Sequence, residues 1–179
     1  MKIIETKLKE CLIIEPAVFG DDRGFFLETY QKDRYVKSGI DFDFVQDNHS
    51  RSSKGVLRGL HFQNKKPQGK LVRVVRGEVL DVAVDLRKDS PTLGMWESVV
   101  LSGVNKKQFW VPPGFAHGFV VLSDVADFEY KCTDFYDPAD EGSILWSDPD
   151  LNIDWPTDID FILSDKDKAA PNFRDYLKL

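Results

Sequence analysis

The sequence predicts an all-β protein, an antiparallel sandwich or barrel with few and short helices. Three observations carry this. Short runs of β-forming residues recur along the chain, turn clusters separate them, and only one mid-chain segment reads as a helix.

Taken in order, the predicted strands are residues 11–14, 25–30, 44–48, 56–62, 70–75, 79–86, 95–101, 108–111, 118–122 and 128–133. The cleanest alternation lies in 79–86, where Leu80, Val82, Val84 and Leu86 share one face and Asp81 and Asp85 the other. That strand is expected to have one wetter face. Between the strands stand Gly20-Asp21-Asp22, Ser52-Ser53-Lys54-Gly55, Arg76-Gly77, Asp89-Ser90-Pro91, Ser102-Gly103 and Pro112-Pro113-Gly114. The helix spans Lys32 to Lys37, is closed by Ser38-Gly39, and is too short to organise a βαβ fold. From Asp137 onward the pattern turns acidic and Pro-marked. Trp146 and Trp155 are the expected anchors of a long tail packed back on the sheets.

At 179 residues the chain, 1–179, is expected to form one domain. Its 42% hydrophobic and 30% charged residues are those of an ordinary globular protein. No apolar stretch approaches the roughly 20 residues that span a bilayer, and the start carries no signal-peptide run, so no membrane partner and a cytoplasmic location are expected. A net charge of -6 argues against nucleic acid, though a few arginines can still form a small anion site. Cys11 and Cys132 lack metal or redox spacing and read as small core residues.

The chemistry concentrates in a few segments. Gly55 to Gln63 sets Arg58 and His61 three apart on an otherwise apolar strand. A buried polar side chain costs about 1–3 kcal/mol without a partner, so each must pair internally or face a ligand. Strict period two puts them on opposite faces; a bulge at Gly59 would re-aim one of them. Lys70 opens the next strand on the face of Val72 and Val74, either as a solvated end or as an ammonium that stabilises an enolate oxygen. Phe128, Tyr130 and Cys132 share a face, which makes Tyr130 either a packing residue or a general acid. Arg23, among Phe19, Phe25 and Phe26, is either part of a structural turn or a diphosphate ligand working with Arg58. Pro112 to Phe119 resembles the segment of cupin barrels that often carries a metal ligand, but His49, His61 and His117 form no His-x-His pair, so a metal has lost its best ligand pattern.

Together, residues 22–28 (Asp-Arg-Gly-Phe-Phe-Leu-Glu), 46–48 (Gln-Asp-Asn), 57–63 (Leu-Arg-Gly-Leu-His-Phe-Gln), 68–72 (Gln-Gly-Lys-Leu-Val), 113–119 (Pro-Gly-Phe-Ala-His-Gly-Phe) and 163–167 (Leu-Ser-Asp-Lys-Asp) resemble the dTDP-4-dehydrorhamnose 3,5-epimerase family of cupin-like jelly-roll barrels. The resemblance runs nearly end to end. It implies that His61 is the general base, Asp167 its partner, Tyr130 the general acid and Lys70 the group that holds the C4 oxygen as it becomes an enolate. By the same similarity Arg23, Glu28, Gln46, Asp47, Asn48, Arg58, His117, Glu141 and Lys166 bind a dTDP-sugar, and Tyr136 stacks on thymine beside Phe19 and Phe26. The implied enzyme needs no cofactor and no metal. It forms homodimers that share amino-terminal strands, so that residues around Arg23 complete the partner's pocket. Three other readings stay open: an epimerase acting at C3 or C5 alone, a metal-dependent cupin enzyme, and a noncatalytic sugar-nucleotide binding module.

Overall fold

The computed structural model describes residues 1–178. Thirteen strands and three short helices follow in the order β1 (Lys2–Glu5), β2 (Leu12–Glu15), β3 (Val18–Asp21), β4 (Gly24–Leu27), α1 (Lys32–Lys37), β5 (Gln46–Ser53), β6 (Leu57–Gln63), β7 (Lys70–Arg76), β8 (Glu78–Asp85), β9 (Trp96–Ser102), β10 (Gln108–Val111), β11 (Phe115–Val121), β12 (Val125–Cys132), β13 (Glu141–Ser143), α2 (Asp165–Lys168) and α3 (Phe173–Tyr176). They form a six-stranded sheet ordered β1-β2-β10-β7-β12-β5, a five-stranded sheet ordered β13-β6-β11-β8-β9, and a separate β3–β4 hairpin. Every paired strand in these sheets is antiparallel. The predicted all-β, cupin-like class is the one observed.

The two sheets face each other across a core to which both contribute. Val72, Val74, Phe109, Ala126 and Phe128 come from the six-stranded sheet; Val79, Ala83, Leu101, Phe115, Phe119 and Val121 come from the five-stranded one. Burying each of the larger side chains contributes about 1.5–3 kcal/mol. The Phe119 and Phe128 rings stack across the gap with centroids 4.2 Å apart. Truncating either to Ala would open a cavity where the sheets meet.

Each sheet is also covered on its outer face. The tail lays Ile144, Leu151, Trp155 and Phe173 over Leu57, Leu60, Val82, Val84, Ala116 and Val120, with Trp146 packed alongside. The predicted tryptophan anchors therefore hold. On the other side, Tyr35 of α1 and Ile40 cover Ile14, Leu71 and Trp110. The helix occupies the predicted residues: Gln31 caps its first turn through Arg34 N, and the chain leaves at Gly39 with φ 92°.

One expectation is corrected. Asp81 and Asp85 do not sit on a wet face, because the tail covers the Leu80 face and the opposing sheet covers the other. Both carboxylates are buried inside, where Asp81 accepts from His117 and Asp85 from Arg87, Ser90 and Thr92. Cys11 and Cys132 are buried free thiols, as read from their spacing.

Candidate active site

The β6 strand settles how Arg58 and His61 are aimed. Against β11, His61 pairs with His117 and Arg58 with Phe119, so three steps on β6 match two on β11. This is a bulge, and it carries Gly59 at φ 134°. A Cβ at Gly59 would stand 2.6 Å from Gly118 Cα, so the close approach needs glycine twice over. The extra residue turns both Leu57 and Leu60 outward into the tail-covered core. Arg58 and His61 are thereby left together on the inward face, and strict period two is broken.

His61 is joined to Asp167 from the far end of the chain, with Nε2 2.6 Å from Oδ1. The placement of Asp167 is local. Ser164 caps α2 by accepting from Asp167 N, and the tail segment is tied down by a parallel bridge between Val56 and Ile162. Asp167 is only 3% exposed. Burial pushes its carboxyl up, but the bond and charge of His61, with help from Ser164 and Lys166, outweigh it and hold the pKa below the usual value. The carboxylate is thus kept charged, ready to support an imidazolium.

Across the interior, Lys70 of β7 lies on the face of Val72 and Val74, as predicted, and Tyr130 of β12 on the face of Phe128 and Cys132. Both belong to the sheet opposite His61. Burial pulls the Lys70 pKa down, against Cys132, Asp81 and Glu141, which raise it. The Tyr130 phenol is pushed up mainly by burial, with Cys132 adding and Arg58 opposing. Among the described residues neither Lys70 Nζ nor Tyr130 Oη has a hydrogen-bond partner. An ammonium and a phenol without partners, facing a charge-supported imidazole, form an arrangement suited to moving a proton on and off carbon beside an anionic oxygen.

The rim carries most of the remaining predicted residues. Gln46 and Asn48 share the inward face of β5 and are hydrogen-bonded to each other. Arg58 points its Nε and Nη2 at Ser52 Oγ, at 3.2 and 3.1 Å. Glu141 accepts from Tyr136 Oη at 2.8 Å and from Lys166 Nζ. Burial raises the Glu141 pKa, but Lys166, Tyr136 and His61 bring it below the usual range, and the Glu141 bond in turn raises that of Tyr136. His117 lies deeper, its Nε2 2.9 and 3.0 Å from the two oxygens of Asp81. Asp47 departs from the set: its side chain lies on the outer face of β5, ion-paired with Lys131.

Four predicted residues stand apart from this centre. Phe19 and Phe26 on the β3–β4 hairpin are 66% and 69% exposed, Arg23 pairs with Asp21, and Glu28 with Arg34. Asp81, Ser52 and Ser164 were not named from sequence as site residues. The only signal for Asp81 was its alternation on β8, which gave a face and no partner. Among the described residues, no group of three or more His, Cys, Asp or Glu is arranged to hold a metal ion.

Comparison with known proteins gives the family. Residues 5–175 match the family model for dTDP-4-dehydrorhamnose 3,5-epimerase. The chain is 56% identical over 173 residues to the dTDP-4-dehydrorhamnose 3,5-epimerase of Salmonella typhimurium, covering 96% of this chain and 94% of that one. Its structure is similar to the crystal structure of dTDP-6-deoxy-D-glucose-3,5-epimerase from Legionella pneumophila in complex with dTDP-4-keto-L-rhamnose, with a TM-score of 0.95 and 59% identity over 97% of this chain and 93% of that one. It is also similar to a 3'-monoepimerase from Streptomyces bikiniensis in complex with dTDP-quinovose, with a TM-score of 0.92 and 36% identity over 97% of this chain and 88% of that one. The chain belongs to the dTDP-4-dehydrorhamnose 3,5-epimerase family.

Proposed function

We propose that this protein, acting as a single epimerase domain, inverts C3 and C5 of dTDP-4-dehydro-6-deoxy-D-glucose to give dTDP-4-dehydro-L-rhamnose in dTDP-L-rhamnose biosynthesis. The observation that carries the reading is the placement of the Asp167-supported His61 on one sheet and of unpartnered Lys70 and Tyr130 on the sheet opposite. The C4 ketone acidifies the hydrogens on both neighbouring carbons. His61 takes one of them, the C–H electron pair moves to the C4 oxygen, and Lys70 holds the resulting enolate. Tyr130 then gives its phenolic proton to the same carbon from the other face, the ketone re-forms, and that centre is inverted. Solvent restores both proton carriers, and the same base serves the second carbon. Nothing is oxidised or reduced overall, and in this scheme the base, the acid and the ammonium carry every step, with none routed through a cofactor or a metal.

Gln46, Asn48, Arg58, His117, Glu141 and Lys166 bind the nucleotide sugar, Asp47 through its backbone, and Tyr136 stacks on thymine. Phe19, Arg23, Phe26 and Glu28 act in a homodimer, where the exposed hairpin completes the partner's pocket. The protein works in the cytoplasm. No helix among the described residues is long and apolar enough to cross a membrane.

Proton NMR of the substrate with this protein in deuterium oxide tests the reading. Deuterium at C3 and C5 with both centres inverted is expected; no exchange with folded protein would overturn it. A second reading, inversion at one carbon alone, draws on the likeness to the 3'-monoepimerase, and label at a single carbon would select it.

A further inference from the structure

Gln63 ends β6 two residues beyond His61, is 6% exposed, and takes no part in the chemistry proposed above. Its carboxamide is fully engaged. Nε2 donates to Lys66 O at 2.8 Å and to Phe135 O at 3.3 Å, and Oε1 accepts from Asp137 N at 2.9 Å. The last two partners are the residues on either side of Tyr136. Gln46 Oε1 receives Tyr136 N at 2.9 Å, so the tyrosine backbone is gripped at three successive residues. Behind it, buried Asp140 accepts from Lys65 N and Lys66 N at 2.8–2.9 Å, which ties the 64–68 loop to the 134–141 loop.

The Tyr136 ring is half exposed, and its hydroxyl donates to Glu141. A ring in that position stacks well only if its backbone is fixed, because ordering a loop at the moment of binding opposes the stacking energy. We infer that Gln63 is a positioning residue that holds Tyr136 at the mouth in advance, and so sets the affinity for the planar base of a nucleoside-diphosphate sugar. The inference rests on the epimerase reading for the ligand and on these hydrogen bonds for the mechanism. The β6–β13 ladder pairs Gln63 with Glu141 through the backbone, which leaves its side chain free for the two loops.

Gln63→Met keeps the length of the side chain and removes all three bonds. Base–aromatic stacking is a main source of affinity for a planar base, so losing the prepared ring should weaken dTDP binding about tenfold. Calorimetry with dTDP and steady-state kinetics with the full sugar nucleotide read this directly: Kd and KM rise about tenfold and kcat stays within about threefold. In a Tyr136→Ala background the same substitution should change Kd less than twofold, a coupling that a general packing role would not show. A folded Gln63→Met with unchanged Kd, an equal loss in both backgrounds, or a fall in kcat alone would overturn the inference. Should Gln63→Met not fold, Gln63→Glu keeps the acceptor for Asp137 N, loses both donated bonds, and is held to the same outcomes. Wild-type protein that neither binds dTDP nor exchanges ring hydrogens would refute the epimerase reading and this one with it; wild-type binding with an indifferent Gln63 refutes this one alone.

Discussion

Replacing Asp167 by Asn keeps the shape of the side chain and removes its charge. The carboxylate is almost wholly buried and lies 2.6 Å from the His61 ring, so solvent screens their interaction little. A hydrogen bond to a charged partner contributes about 1.5–3 kcal/mol. The imidazolium that this bond supports exists only after His61 has taken a ring proton, so the loss falls on the transition state and spares the bound ground state. At about 1.4 kcal/mol per tenfold change, kcat should fall about ten- to 150-fold. Deuterium uptake into C3 and C5 at saturating substrate measures the step, with the dTDP Kd expected to stay within twofold. A folded Asp167→Asn protein that exchanges within twofold of the wild-type rate would refute the coupling of the two residues.

Further predictions concern the opposite wall, the tail and acid stability. Tyr130→Phe should retain much of the hydrogen washout while impairing inversion, because His61 can still remove a proton and return it to the same face; loss of both would make Tyr130 structural or substrate-binding. Lys70→Met removes the donor to the developing enolate and should lower kcat about 10²- to 10³-fold, measured by the same exchange; a loss under fivefold would remove Lys70 from that role. Gly55→Ala places a Cβ 2.3 Å from Asp160 O at a residue with φ 81°, so it should lower the melting temperature and, by shifting the tail that carries Asp167, lower kcat too; an unchanged Tm would contradict this account of tail docking. Burial alone would raise the Asp85 pKa, but Arg87, Ser90 and Thr92 hold it at about 2. Its stabilising contribution is complete above the unfolded value near 4 and is lost as pH falls toward 2, so urea midpoints at pH 6 and pH 2.5 should differ less in Asp85→Asn than in wild type.

Local rules made much of the fold legible. The helix at 32–37 announces itself by the Ser38-Gly39 that closes it, and the inward face of Lys70, Val72 and Val74 follows from period two. The same rule misleads on β6, because a bulge adds one residue and brings Arg58 and His61 to a common face; Gly59 flags the place and leaves open which way the strand turns. Strand β8 misleads for a different reason. An alternation of leucine and valine with aspartate looks like a wet face wherever the buried partners of the acids, here His117 and Arg87, are distant in sequence or hidden by a turn. The His61–Asp167 pair spans 106 positions, so no spacing in the chain could have joined them; only the family resemblance did. Gln63 was visible in a motif, but its bonds to the backbone on both sides of Tyr136 exist only once two loops meet.

The claim that one imidazole removes both ring hydrogens is tested most directly by His61→Ala, with solvent deuterium followed into C3 and C5 of dTDP-4-dehydro-6-deoxyglucose. The account predicts that uptake is abolished at both carbons while the protein stays folded and still binds dTDP. Uptake that persists at either carbon would show a second base at work and contradict it.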